Sequence, residues 1–187
     1  VDPFNGREDL KNKIIRTVGE AEKRFNEDAL RLLRAIRFAT TFGFEIESET
    51  KKAIKKYAHL LKAISHERVR DELMKLMGSD DPEKGILLMQ ESGLLKVVLP
   101  EVEEGVGVTQ NKHHIYNVFE HLVKSLGFAA KYNFNIYVRF ASLLHDIGKV
   151  INDKEGTHVQ LGGDFLRKYN IPEPVIHCVA SHHEDIS

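Results

Sequence analysis

The stretch Leu143-Leu144-His145-Asp146-Ile147-Gly148-Lys149 ends an apolar, helix-like segment in an adjacent histidine and aspartate. Adjacent side chains on an α-helix point about 100° apart, so these two cannot grip one metal ion as parallel prongs. Each requires further ligands from elsewhere in the chain. Other histidines lie well before and after the stretch. They are His121, which is 24 residues before His145, and His158, His182 and His183 after it. This spacing suits a site assembled between the helices of a bundle.

The rest of the sequence also repeats apolar residues at intervals of three and four, which is typical of amphipathic helices. Capping and stop residues predict four helices in the first half, at 26–43, 48–61, 65–78 and 81–93, opened by Asn26, Ser48, Ser65 and Asp81. Four more are predicted at 114–131, 136–145, 161–169 and 174–182. We see no strand pair, and the predicted fold class is all-α.

The segment Pro100–Lys112 contains Gly105 and Gly107 among acidic residues and has no helical period, so we interpret it as a linker. It separates two predicted domains, 1–100 and 101–187. The first carries 19 basic and 17 acidic side chains, and the second carries 8 and 11. The near-neutral total of -1 therefore hides a basic half and an acidic half.

Composition excludes several classes of protein. With 42% hydrophobic and 29% charged residues, the 187-residue chain can fill a core, which excludes a disordered tail. Cys178 is the only cysteine, so no intrachain disulfide can form. The sequence has neither a run of 18 apolar residues nor a leader-like segment, so we predict no membrane association and a cytoplasmic protein.

Eight of the ten histidines fall between His113 and His183. Imidazole nitrogens with a carboxylate suit Mn, Fe, Ni, Co or Zn better than an all-oxygen Mg²⁺ or Ca²⁺ cage, although Mg²⁺ remains an alternative. A bound divalent ion lowers the pKa of its water, and Lys149 could neutralise phosphoryl charge, which together favour phosphoester hydrolysis. For His59, His66 and His177 we favour ordinary surface or packing roles.

His121, the pair His145-Asp146 and the following Ile147-Gly148-Lys149 resemble the HD superfamily of metal-dependent phosphohydrolases. The resemblance implies an all-α domain in which His121, His145 and Asp146 hold the principal metal ion. The segments 155–159 and 180–185 are similar to ribonuclease Y and related HD enzymes. By that match His158, His182 and His183 are candidate ligands of a second ion.

The pattern departs from the HD family near its end. In the family a distal Asp completes the primary metal site, whereas this sequence stops at Ser187 and Asp185 comes too early to replace it. A site without one carboxylate loses charge as well as geometry, so we expect weaker metal binding and little turnover.

Residues 11–75 hold 16 Lys and Arg against 10 Asp and Glu, an excess that suits either an RNA backbone or a solvated helix face. On a continuous helix Asp28 and Arg31 would share a polar face, where an acceptor and a forked donor can read the edge of a base. The alternative favoured by spacing alone is a Glu27–Arg31 surface ion pair, worth about 0.3–0.5 kcal/mol.

Several motifs of the first half resemble the class II tRNA nucleotidyltransferase and poly(A) polymerase family. They are Asp2-Pro3-Phe4-Asn5-Gly6, Glu27-Asp28 with Arg31, and Glu67-Arg68-Val69-Arg70-Asp71-Glu72-Leu73. The resemblance implies that Asp28 and Arg31 contact the incoming CTP or ATP, with Arg34 on triphosphate or RNA. It identifies tRNA or another RNA, and a nucleotide or phosphoester, as partners.

The family's nucleotidyl transfer uses an Asp-x-Asp pair in a catalytic head, and this sequence contains no such pair. We therefore expect a neck, a body and an HD domain that do not add nucleotides alone. The leading hypothesis is a metal-dependent phosphohydrolase in the C-terminal part of a CCA-adding protein. The alternatives are a non-catalytic RNA-binding module with a vestigial metal site and a signalling-nucleotide hydrolase.

Overall fold

The computed structural model describes residues 2–109, 115–151, 157–168 and 171–182. Helices dominate these residues, and the predicted all-α class is confirmed. The chain divides into two compact units, Val1–Val98 and Leu99–Ser187, and each is described by itself.

The first unit combines helices with one very short parallel strand pair. Its helices are α1 (Gly6–Lys11), α2 (Ala21–Glu27), α3 (Leu30–Phe42), α4 (Ser48–Tyr57), α5 (His66–Met77), α6 (Pro82–Glu91) and α7 (Leu95–Val98), with a 3-10 helix at Ala58–Ala63. The strands are β1 (Ile14–Ile15) and β2 (Glu45–Ile46), and Ile14 pairs with Glu45. The expectation of no strand pair was therefore wrong, because two residues of β1 pair with two residues of β2.

Helix α3 is the centre of the first unit, because its apolar face packs against α5 and α6. Leu32, Ile36 and Ala39 on that face are almost fully buried. Gly85 lets α6 approach α5 closely, since a Cβ at Gly85 would lie 2.9 Å from Cδ2 of Leu76 on α5. The period of apolar residues in the sequence thus marks the face that forms the core.

The helix predicted from Asn26 to Gly43 is broken in the structure. α2 ends at Glu27, Asp28 has an extended backbone with φ of −152°, and α3 begins at Leu30. The Asp28 carboxylate accepts a hydrogen bond from the Leu30 amide at 3.1 Å. Asp28 thus occupies a break between helices, and the helical-face argument for it does not apply. The predicted end at Gly43 is confirmed by its left-handed φ of 65°.

Other predicted boundaries also differ. The side chain that caps α4 belongs to Glu47, which accepts from the Thr50 amide at 2.7 Å, whereas Ser48 is the first helical residue. Within the predicted linker, Pro100–Glu104 is helical because proline fixes a helix-compatible φ at the first position. The Asp81 cap is confirmed, with its carboxylate accepting from the Lys84 amide at 3.0 Å.

The second unit is a small helical bundle. Its helices are α8 (Pro100–Glu104), α9 (Val118–Lys131), α10 (Ile136–Leu144), α11 (His158–Lys168) and α12 (Glu173–Ser181), with a 3-10 helix at Ile147–Lys149. α10 packs against both α9 and α12, and α11 packs against α12 and the 3-10 helix. Leu122, Leu143 and Val179 are fully buried between these helices.

Small residues bring the last helices of the bundle together. A Cβ on Gly162 would lie 3.2 Å from Val179 Cγ1, and one on Gly163 would lie 3.1 Å from Ala180 Cβ. These two glycines set the separation between α11 and α12. No helix within the described ranges is both long and apolar enough to span a membrane.

Candidate metal site

Residues from α9, α11 and the ends of α10 and α12 converge on Asp146. Asn117 caps α9 in a capping box with Glu120, which fixes the turn that carries His121. α10 ends at Leu144, so His145 and Asp146 follow the last helical residue instead of lying along a helix. His145 keeps an αR backbone with φ of −57° and ψ of −36°, and both side chains still reach the same cluster.

Asp146 is the centre of this cluster and is almost completely buried, with 3% of its side chain exposed. Its Oδ2 lies 3.4 Å from His121 Nε2 and 3.5 Å from His145 Nε2. Its Oδ1 lies 3.5 Å from the Nε2 atoms of both His158 and His182. The two carboxylate oxygens therefore face two different histidine pairs.

Backbone carbonyls orient two of these imidazoles. His145 Nδ1 lies 2.9 Å from the Ser142 carbonyl, and His182 Nδ1 lies 2.7 Å from the Val179 carbonyl. A carbonyl oxygen can only accept, so in each neutral ring Nδ1 carries the hydrogen and Nε2 presents a lone pair; this tautomer is assigned from the hydrogen-bond geometry. Partners of this kind hold metal-binding histidines in position.

The electrostatics favour the protonation states that bind a metal. Burial lowers the pKa of His145 to about 4, despite the neighbouring Asp146 carboxylate, so this imidazole is neutral near pH 7. Burial raises the pKa of Asp146, but the Lys149 ammonium at 2.7 Å and the adjacent histidines outweigh it, and the net pKa lies below its ordinary value. Asp146 is thus a carboxylate beside neutral imidazole.

A divalent cation fits this arrangement. The His145 Nε2 lone pair faces Asp146 Oδ2, and Asp146 Oδ1 is buried with no hydrogen-bond partner among the residues described. Ligands about 2.1 Å from one ion lie about 3.0 Å apart in octahedral and about 3.4 Å apart in tetrahedral geometry. The candidate ligand atoms are Nε2 of His121, Nε2 of His145 and Oδ2 of Asp146. They lie 3.0–3.5 Å from one another, which fits either geometry.

The remaining predicted residues of this half have the following positions. Lys149 makes a salt bridge to Asp146 Oδ2, so its ammonium lies beside the cluster. His183, the other predicted ligand of a second ion, lies outside the described residues, as does Asp185. His177 is exposed on α12.

The three predicted nucleotide contacts of the first half line two cavities, and their role in binding a nucleotide stays a prediction. Asp28 accepts from Arg68 at 3.0 and 3.2 Å and lines a depression with it. Arg31 donates to Glu27 at 2.6 Å, which confirms the ion pair favoured by sequence spacing. Arg31 and Arg34 line a separate cavity of about 400 Å³. Asp28 is not among the residues that line this cavity.

Arg34 also belongs to a charged cluster that the sequence did not reveal. Its Nε lies 3.6 Å from Glu72, a buried carboxylate that accepts from Arg37 at 2.7 Å and Lys75 at 3.2 Å. Burial raises the pKa of Glu72, but Arg37 and Lys75 outweigh it, so the net pKa lies below its ordinary value. Arg37 and Glu72 are 35 residues apart, and no local spacing predicts their pairing.

Two family models match this chain. The probable RNA and SrmB-binding site of polymerase A matches residues 43–105, and the HD domain matches residues 118–187. Among curated relatives, the A-adding tRNA nucleotidyltransferase of Deinococcus radiodurans is 43% identical over 80% of the chain and 36% of its own length. The CCA-adding enzyme of Geobacillus stearothermophilus is 37% identical over 94% of the chain and 38% of its own length.

The chain is similar to tRNA nucleotidyltransferases over most of its length, and its second half matches an HD domain. It spans less than two fifths of the length of the curated relatives that it matches. A structure of the Bacillus stearothermophilus CCA-adding enzyme with CTP superposes with a TM-score of 0.60 at 32% identity, covering 97% of the chain and 40% of the enzyme. A tRNA nucleotidyltransferase complexed with a primer tRNA and an ATP analogue, at 24% identity, shares the fold with a TM-score of 0.64 over 96% of the chain and 49% of its own length.

The HD match adds an expectation to the geometry of the second unit. An HD domain together with the His and Asp cluster implies the use of a divalent metal ion, without specifying which one. The matched HD region begins at Val118, the first residue of the helix that carries His121.

Proposed function

We propose that the HD domain of this chain is a divalent-metal phosphohydrolase that cleaves phosphomonoesters or phosphodiesters. His121, His145 and Asp146 would hold the principal ion, and His158 and His182, with His183 by family resemblance, would support a second. The observation that carries the proposal is the buried Asp146, whose two oxygens face different histidine pairs. A bound ion would supply a nucleophilic hydroxide near neutral pH.

The chain's own residues have defined roles in this proposal. Ser142 and Val179 fix the tautomers of His145 and His182 through their carbonyls. Lys149 holds Asp146 ionised and can also neutralise charge on a phosphoryl group at the cluster. Mn²⁺, Fe²⁺, Ni²⁺, Co²⁺ and Zn²⁺ fit a donor set of imidazoles with one carboxylate, and Mg²⁺ fits it less well.

The test is a phosphodiesterase and phosphatase assay of the full chain with Mn²⁺, Ni²⁺ or Co²⁺. We expect His145→Ala to abolish hydrolysis and to reduce metal binding measured by calorimetry. His177→Ala is the matched control, because His177 is exposed on α12 of the same unit. Unchanged hydrolysis in the His145 variant would refute the proposal.

The first unit supports a second proposed role in binding tRNA or another RNA. The match of residues 43–105 to an RNA-binding region favours it. Helix α4 carries four lysines, and three of them are ion-paired: Lys51 with Glu91, Lys52 with Glu49, and Lys56 with Glu22. Exposed ion pairs are weak and leave such lysines available to phosphates.

If this unit binds RNA without hydrolysis, the chain is a binding module whose metal site is vestigial. Binding of tRNA should then weaken steeply with salt, and reversing Lys51, Lys52, Lys55 and Lys56 to Glu should weaken it further. An affinity insensitive to both changes would exclude this role. We expect no nucleotide addition by the 187 residues alone, because they contain no Asp-x-Asp pair for two-metal transfer.

A further inference from the structure

The exposed aromatic side chains of the second unit gather at the end of α9 and the start of α10. Four of them are each 41–59% exposed: Phe128 and Tyr132 on α9, Phe134 in the turn and Tyr137 on α10. By contrast, no large apolar side chain of α11 or α12, which both lie within the described residues, is exposed. Large apolar side chains concentrated on one surface mark an interaction site.

Local contacts join these rings into one surface, which we call the aromatic patch and which comprises Tyr116, Phe128, Tyr132, Phe134 and Tyr137. The ring centroids of Phe128 and Tyr132 are 4.5 Å apart. The Phe134 amide donates to the Ala129 carbonyl at 3.0 Å, which folds the turn back onto α9. Tyr116 is 38% exposed and lines the same cavity as Phe128.

Helix α9 therefore has two apolar faces. Leu122 and Leu126 are buried within the unit. Lys124, Phe128 and Tyr132, spaced by four residues, form an exposed ridge on another side of the helix. A helix at the surface of one folded unit needs a single apolar face. The exposed ridge is thus suited to a partner helix.

We propose that the aromatic patch joins two copies of this chain into a symmetric dimer. The two α9 helices cross antiparallel, and the Phe128 side chains of both copies meet on the two-fold axis. Lys124 and Tyr132 lie four residues from Phe128 in opposite directions, so the ammonium of one copy faces the Tyr132 ring of the other. Two-fold symmetry is the commonest symmetry of soluble oligomers, and it pairs one surface with itself.

The exposed area and chemistry of the patch suit a second copy. A Phe or Tyr side chain offers about 150–250 Å², so five rings that are 38–59% exposed present roughly 500 Å² per copy. Two copies would bury about 1,000 Å² from the rings alone, which reaches the minimum for a specific interface. The patch also supplies both members of each contact, ring with ring and lysine with ring, so it is complementary to itself.

The dimer would also cover a cavity of about 520 Å³ beside the candidate metal site. Tyr116, Lys124 and Phe128 line this cavity, so its rim lies on the patch. Cys178 on α12 lines it as well. A second copy seated on the patch therefore contributes its own rings to the cavity wall. Dimerisation through the patch does not depend on metal binding or on hydrolysis.

The test is sedimentation of the full chain at concentrations from about 1 to about 300 µM. We expect the mass to rise from 21.3 kDa toward twice that value, with a dissociation constant of about 1–100 µM. Phe128→Glu and Phe128→Lys should each stay monomeric, because like charges meet on the axis, whereas an equimolar mixture of the two should form a heterodimer. Phe42→Glu is the matched control, since Phe42 is 57% exposed on α3 of the first unit, and it should dimerise as wild type does. Circular dichroism verifies that each variant is folded.

Alkylation of Cys178, the only cysteine, gives a second measurement. In wild type its rate per molecule should fall at least about threefold over the same concentration range, as the dimer covers the cavity, and in Phe128→Glu it should stay constant. Lys124→Ala should weaken the dimer about two- to fivefold. The inference is overturned if wild type or the Glu and Lys mixture stays monomeric, if Phe42→Glu disrupts the dimer equally, or if the alkylation rate of wild type does not depend on concentration.

Discussion

Gly148→Ala should damage one half of the metal cluster while leaving the other half in place. Gly148 lies in the 3-10 helix after Asp146, directly against the first residue of α11. A Cβ at this position would lie 2.9 Å from His158 Cα and would overlap the His158 carbonyl. Carbon atoms in good contact are about 3.5 Å or more apart, so His158 must move by at least about 0.6 Å.

A shift of that size exceeds the tolerance of about 0.2 Å for a metal–ligand distance. We therefore expect Gly148→Ala to reduce the affinity for an ion held near Asp146 Oδ1, His158 and His182 about 10- to 100-fold. Binding near His121 and His145 should change much less, because the three atoms nearest the new methyl group all belong to His158. Overpacking should also lower the free energy of unfolding by about 1–3 kcal/mol.

The assay is calorimetric titration with Mn²⁺ or Co²⁺, combined with urea unfolding. His158→Ala is the comparison, because it removes the ligand without introducing an overlap. Both variants should lose the same weaker binding event, and only Gly148→Ala should also lose stability through overpacking. Two full-affinity binding events in Gly148→Ala would refute the reasoning.

Three further predictions concern the buried Glu72 of the first unit and the Asn117 cap of the second. Glu72→Gln should lower the free energy of unfolding by about 1.5–3 kcal/mol at pH 7, because Arg37 loses its buried carboxylate partner; urea unfolding checks this, and a loss below 0.5 kcal/mol would contradict it. The pKa of Glu72 is lowered on folding, so the stability that its carboxylate contributes should be complete above the ordinary pKa of 4.5 and disappear as the pH falls through the lowered pKa. The difference in free energy of unfolding between wild type and Glu72→Gln should therefore be smaller at pH 3 than at pH 7. Asn117→Ala should remove the cap of α9 and cost about 0.5–2 kcal/mol in thermal unfolding, whereas Asn117→Asp should retain most of the stability.

Local signals in the sequence predicted the helix ends at Asp81 and Gly43 correctly, but not the caps at Asn26 and Ser48. Asp81 before Pro82 and the left-handed Gly43 act through their own backbone or nearest neighbours. The break at Asp28 was missed because the pattern predicts Asn26 as the cap of one continuous helix, although Asp28 accepts from the Leu30 amide two residues on. Arg68, 40 residues away, also binds the carboxylate. The β1–β2 pair was missed because two residues are too few to show a strand period.

For the candidate site, the sequence by itself determined which residue types are available and their spacing along helices. The sequence pattern identified five candidate ligands, and their contribution to metal binding stays a prediction: His121, His145, Asp146, His158 and His182. Only the tertiary structure decided that both oxygens of Asp146 face histidines, and that carbonyls fix two imidazoles. The same packing decided that Phe128 and Tyr116 line a cavity instead of the core.

The physical reason is the range of the interactions. Helix propensity, capping and amphipathic period act over a few residues, so the chain's local order follows from its sequence. Side-chain directions at a helix end, the approach allowed by Gly148 and the pairing of Asp28 with Arg68 depend on segments that meet only after folding. The order of residues therefore determined the helices and the available chemistry, whereas packing between helices decided which groups meet.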